Sequence, residues 1–152
     1  MSSYVQSTDE MYEAVRQVVA GAIAGLVGYE PKIYWEHVGE NDTPPQDKFW
    51  LRVHRTTLDS DQGTLSNCVG QIGARRFENI GILTVELAAP VTAVKSAYLL
   101  AQCGQIIQAH LRKRVTASIV RFKGVRIDDS IGVVNRFNRL NVVAGFEYDE
   151  IQ

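Results

Sequence analysis

From Leu140 to Asp149 the chain alternates without a break. Leu140, Val142, Ala144, Phe146 and Tyr148 fall on one side; Asn141, Val143, Gly145, Glu147 and Asp149 fall on the other. A period of two is that of a β-strand, whose successive side chains point to opposite faces. The segment Arg139 to Glu150 therefore reads as a strand with one face on a core, and the chain must build a sheet around it.

Other segments supply the partners. Phe49 to Thr57 alternates in the same way, with Phe49, Leu51 and Val53 on one side and Trp50, Arg52 and His54 on the other. Lys32 to Glu36 is a short strand rich in β formers, Ile33, Tyr34 and Trp35. Ile80 to Ala89 is a strand with Leu83, Val85 and Leu87 inward, ended by Pro90. Ser118 to Ile127 is a further strand, and Asp128 to Phe137 a connection.

Two segments switch to the helical period. Met11, Ala14, Val15, Val18, Val19, Ala22, Ile23 and Leu26 form one stripe, with Ser7 or Thr8 as cap, Asp9 and Glu10 in the first turn, and Gly28 as the stop. Thr92 to Lys113 carries Ala97, Leu100, Ala101, Gly104, Ile107 and Leu111, and ends in Arg112, Lys113 and Arg114. Cations suit a helix C-terminus. Gly39 to Lys48, with Pro44 and Pro45, is a loop. Leu58 to Asn79, with Gly63, Gly70 and Gly73, reads as a long connection or an extended β-arm. The expectation is an α+β domain spanning 1–152: an antiparallel or mixed sheet of about five strands, with two helices packed on one face.

Composition narrows the function. The 152 residues suit one domain, and 16 basic against 17 acidic residues leave a net charge of -1. Domains that coat nucleic acid usually carry a basic excess. Met1-Ser2-Ser3-Tyr4 lacks the basic and apolar stretches of a signal peptide, and no apolar run reaches membrane-spanning length. Cys68 and Cys103 stand far apart with no zinc spacing, and are expected as reduced thiols.

Catalytic chemistry is not written in the sequence. His37, His54 and His110 have no ligand-spaced partner. No G-x-S-x-G turn, P-loop or dinucleotide fingerprint occurs, and neither cysteine has a nucleophile's surroundings. Asp128-Asp129 reads as a solvated turn. No cofactor or metal is expected, and the chain is not expected to be an enzyme. Gly70-Gln71-Ile72-Gly73 with Arg75 and Arg76 has the form of the G-x-x-G loop of KH domains. That loop must join two helices, however, and Glu78 to Ala88 reads as strand.

The stronger signal lies on the sheet. Trp50, Ile82 and Val143 sit on the strand side that faces away from the helices, beside Arg52. A sheet covered on one face only would leave them open to water, and contiguous apolar surface marks interfaces.

From Trp35 onward the chain resembles the tail terminator, or tail completion, proteins of long-tailed phages. The resemblance rests on the order of its parts: an amphipathic N-terminal helix, Trp35-Glu36, the Pro-containing loop, Phe49 to Val53, Arg75-Arg76-Phe77 before Gly81 to Leu87 and Pro90, a second helix, and a last strand ending Phe146-Glu147-Tyr148-Asp149. Where such proteins often carry a glycine pair after the proline, Val91-Thr92-Ala93 stands here. The resemblance implies a non-enzymatic virion protein of the tail, assembled in the host cytoplasm. It implies a homo-oligomeric ring, often of six subunits, that caps the tail tube and offers a head-joining surface. The expected partners are further copies, the tail tube protein and a head-tail connector protein, with no membrane and no specific nucleic acid. The neighbouring class of head-tail connector, or neck, proteins has a similar size. Trp50, Arg52, Arg75, Arg76, Ile82 and Val143 are the candidate interface residues.

Overall fold

The computed structural model describes residues 3–35, 44–65, 75–113 and 119–151. The first helical run is α1 (Ser3–Val18), a π-turn (Val19–Ile23) and α2 (Ala24–Val27), with helical backbone at both junctions. It starts ahead of the expected cap. Ser7 and Thr8 lie inside α1 and donate their hydroxyls back to the Tyr4 carbonyl, at 2.7 and 3.0 Å. That back-bonding is the other use of Ser and Thr near a helix start. Gly28 ends the run as expected, with φ 97° and its N–H on the Ala24 carbonyl at 2.9 Å.

Five strands follow: β1 (Lys32–Trp35), β2 (Trp50–Leu65), β3 (Arg75–Pro90), β4 (Arg121–Val134) and β5 (Phe137–Ile151). The remaining helix is α3 (Ser96–Lys113). The strand order is β1-β2-β3-β5-β4, with β1 parallel to β2 and every other pair antiparallel. This is the mixed five-stranded α+β sheet expected.

Of the two forms open for Leu58 to Asn79, the described parts take the extended β-arm, because β2 and β3 keep pairing out to Leu65 and Arg75. Two boundaries differ from the sequence reading. Asp128 to Val134 belongs to β4, which absorbs Asp128-Asp129 in an irregular stretch before Gly132. Helix α3 begins at Ser96 rather than Thr92, because Pro90 to Ser96 forms turns and Lys95 has φ 54°.

Both helices pack on one face. Met11, Ala14, Val15, Val19 and Ile23 meet Leu100, Cys103, Ile107 and Leu111 over Leu51, Val53, Leu83, Val85, Val142, Ala144 and Phe146 in one buried cluster. Close packing sets two glycines. A Cβ at Gly81 would overlap the Thr56 carbonyl and the Phe146 ring, and one at Gly104 would meet a Leu140 methyl. Arg55 also faces inward. Its guanidinium donates to the Ser7 and Thr8 hydroxyls at 2.8 Å each and lies over the rings of Tyr4, Phe146 and Tyr148. It ties the start of α1 to the sheet.

Candidate assembly surface

The face opposite the helices is where the sequence placed its interface residues. Trp50, Arg52, Ile82 and Val143 do lie there, since their register partners share the face of Ala88, Glu86, Thr56 and Thr84. Their exposure is not as expected. Trp50 is only 3% exposed and packs edge-on against Tyr34 and Phe137. Two guanidinium groups cover it, Arg139 at 4.7 Å and Arg52 at 5.6 Å from its ring centroid. Ile82 and Val143 are half-buried. The open face thus carries its own small aromatic core under an arginine lid. Trp50 Nε1 and Tyr34 Oη are buried there without a hydrogen-bond partner among the described residues. Burial lowers the pKa of Arg139; Glu86 opposes that shift and Arg52 adds to it.

Arg75 and Arg76 open β3 in the arm; their side chains lie outside the described residues, as do Cys68 and the segment Gly70 to Gly73. The elements flanking that segment are strands, not the two helices a KH loop joins. Cys103 is buried in the core, which pushes its thiol up to about 11. Among the described residues no group of three His, Cys, Asp or Glu is placed to hold a metal, and no helix is long and apolar enough to cross a membrane.

A second surface was not legible in the sequence. Among the described residues eleven large hydrophobic side chains are exposed, and six of them gather at one end of the sheet: Val91, Val94, Tyr98, Ile131, Val133 and Val134. Val94 is 82% and Val133 61% exposed. Val91 and Val94 ride on the turn before α3, Tyr98 on its first turn, and Ile131, Val133 and Val134 on the end of β4; these parts lie together, since the Val91 N–H donates to the Arg136 carbonyl at 3.0 Å. Asn138 Nδ2 then donates to Ser96 Oγ at 2.6 Å and fixes the start of α3 to the same end.

The same end holds all three described non-glycine residues with positive φ: Lys95 (54°), Asn135 (51°) and Arg136 (68°). Asn135-Arg136 is a two-residue hairpin turn between β4 and β5 with both residues left-handed, where Asn-Gly is the common choice. An arginine at the second position costs strain, and backbone strain concentrates where function holds it. Lys95 and Arg136 are exposed beside the apolar side chains. The only hint in the sequence was valine in loops, at positions 91, 94, 133 and 134.

No protein-family model matches the chain, and no curated protein matches it. Eleven chains of solved structures do match. One of them, 16% identical, aligns over 96% of this chain and 96% of its own length with a TM-score of 0.60. At that identity the likeness shows the fold alone.

Proposed function

We propose that the chain is a ring-forming tail terminator, which caps the tube of a long phage tail and presents the surface that joins it to the head. The observation that carries the reading is the apolar end: Val91, Val94, Tyr98, Val133 and Val134 are exposed at one end of the sheet, beside the strained residues Lys95, Asn135 and Arg136. Side chains of this kind, so grouped, are usually covered by a partner. Lys95 and Arg136 give that end a basic rim, which suits an acidic partner surface. The long arm of β2 and β3, which reaches beyond the core, suits contact with a neighbouring subunit or with the tube. The order of elements carries the resemblance to the tail terminators.

The test is tube assembly. Tube protein polymerised with and without this chain is sized by negative-stain electron microscopy. The expected result is short tubes with a ring at one end. Unchanged tube lengths, with no chain sedimenting with the tubes, would sink the reading.

A further inference from the structure

Among the described residues the sheet has two open edges, and they match. Strand β4 is the last strand on one side. On the other side β1 pairs with β2 only from Trp50 to Val53, so from His54 onward β2 has no strand partner on that side among the described residues. The free N–H and C=O groups of such an edge are a template for another strand.

The register across the sheet places the two edges level. Asp59 pairs with Ile80, Ile80 with Glu147, and Glu147 with Arg121. His54 pairs with Thr84, Thr84 with Val143, and Val143 with Arg126. Between these levels the inner strands use five residues, Ile80–Thr84 and Val143–Glu147, and the edge strands six, His54–Asp59 and Arg121–Arg126. Each edge has one extra residue because each is bulged, β2 between Thr57 and Asp59 and β4 between Lys123 and Arg126, where Gly124 has φ 58°.

A bulged edge pairs poorly with a regular strand. Two edges with the same surplus over the same interval agree in length. They also run in opposite directions, since three antiparallel pairings separate them. Charge does not oppose the pairing: Arg121 and Lys123, exposed on β4, are held by Glu147 of their own chain at 3.0 and 2.9 Å, and Asp59 is exposed on β2. The second irregularity of β4, between Asp128 and Gly132, falls at the level of Arg52 and Trp50, where β1 begins to cover β2. A neighbouring β4 can leave the edge at that level.

We infer that a second copy of this chain adds its β4 to β2, antiparallel, with Arg121–Arg126 against His54–Asp59 and Arg121 level with Asp59. The inference rests on the ring reading and names its joint. Each copy offers one edge and receives the other, so the contact is heterologous, the kind a ring needs and the kind that closes when the rotation from copy to copy returns to its start.

The test is a crosslink in the full chain. Cys68→Ser removes one thiol, and Cys103 stays because it is buried. Asp59→Cys with Arg121→Cys then places thiols on opposed residues, about 4.5–5.5 Å apart at Cα, within disulfide reach. His54→Cys with Arg121→Cys is the control, offset by roughly 17 Å along the strand. After mild oxidation the first pair is expected to give a ladder of linked subunits on a non-reducing gel, and the control none. Oligomers without a link in the first pair overturn the joint and leave the ring reading standing. Equal ladders from both pairs overturn the register. A chain that stays monomeric and unlinked at every concentration overturns the joint, and the tube-capping assay then decides separately whether the ring reading falls with it.

Discussion

Two arginines lie among aromatic rings on opposite faces of the same sheet, and their surroundings differ. On the helix side Arg55 reaches the Tyr4, Phe146 and Tyr148 rings and donates to the Ser7 and Thr8 hydroxyls. On the bare side Arg139 lies over Trp50 and Phe137, and its buried Nε has no hydrogen-bond partner among the described residues. The first guanidinium joins two elements of the fold. The second covers an aromatic cluster on a face that no helix protects. One face is finished by helices of the same chain; the other is covered only by its own arginines.

Substitution sharpens that contrast. Arg55→Ala should cost the most, about 3 kcal/mol in chemical denaturation, since it breaks charged hydrogen bonds and three ring contacts at a buried position. Arg55→Lys should recover only part of this, because an ammonium lacks the planar fork. Gly81→Ala should cost about 2 kcal/mol, by forcing the Phe146 ring off its place on the finished face. Arg139→Ala should cost about 1 kcal/mol, the scale of a half-exposed cation–ring contact. If Arg139→Ala matched Arg55→Ala, the two faces would not differ as described.

Much of the fold was legible and much of the surface was not. The alternation from Leu140 to Tyr148 and the stripe from Leu100 to Leu111 mark buried faces, and both lie in the core. Beyond the core the pattern fades. In the arm the glycines and polar residues leave no apolar alternation, so the sequence allowed either a loop or a β-arm there, and the backbone of the described part pairs as an arm. Thr8 reads as a cap because Asp9 and Glu10 follow it, and nothing local reveals that its hydroxyl receives Arg55 from β2. The burial of Trp50 depends on Phe137 and Arg139, which only the pairing of β3 with β5 brings alongside.

Two smaller effects probe the strained end and the β4 edge. Arg136→Gly should stabilise the isolated chain by about 1 kcal/mol, because glycine accepts φ 68° without a Cβ penalty. If the arginine is kept for assembly, the same variant should assemble less well, and a variant both more stable and fully assembling would remove that role. Glu147 has its pKa lowered, first by Lys123 and then by Arg121. Folding thus favours its ionised form. The stabilisation is complete above its ordinary value of 4.5 and is lost as pH falls through the lowered value. Glu147→Gln should cost about 0.5 kcal/mol near neutral pH, the scale of a surface pair, and nothing in strong acid. Denaturation across pH 2–7 checks the slope.

On the proposed reading, a partner covers the exposed valine end. Light scattering on the wild type and on Val94→Asp with Val133→Asp, alone and with tube protein, tests it most directly. Both residues are exposed, so the variant should fold as the wild type does. A wild-type particle of ring mass that binds tube is expected, with a folded variant that keeps the ring mass and no longer binds tube. A wild type that binds no tube, or a variant that binds it as well as the wild type does, would contradict the reading.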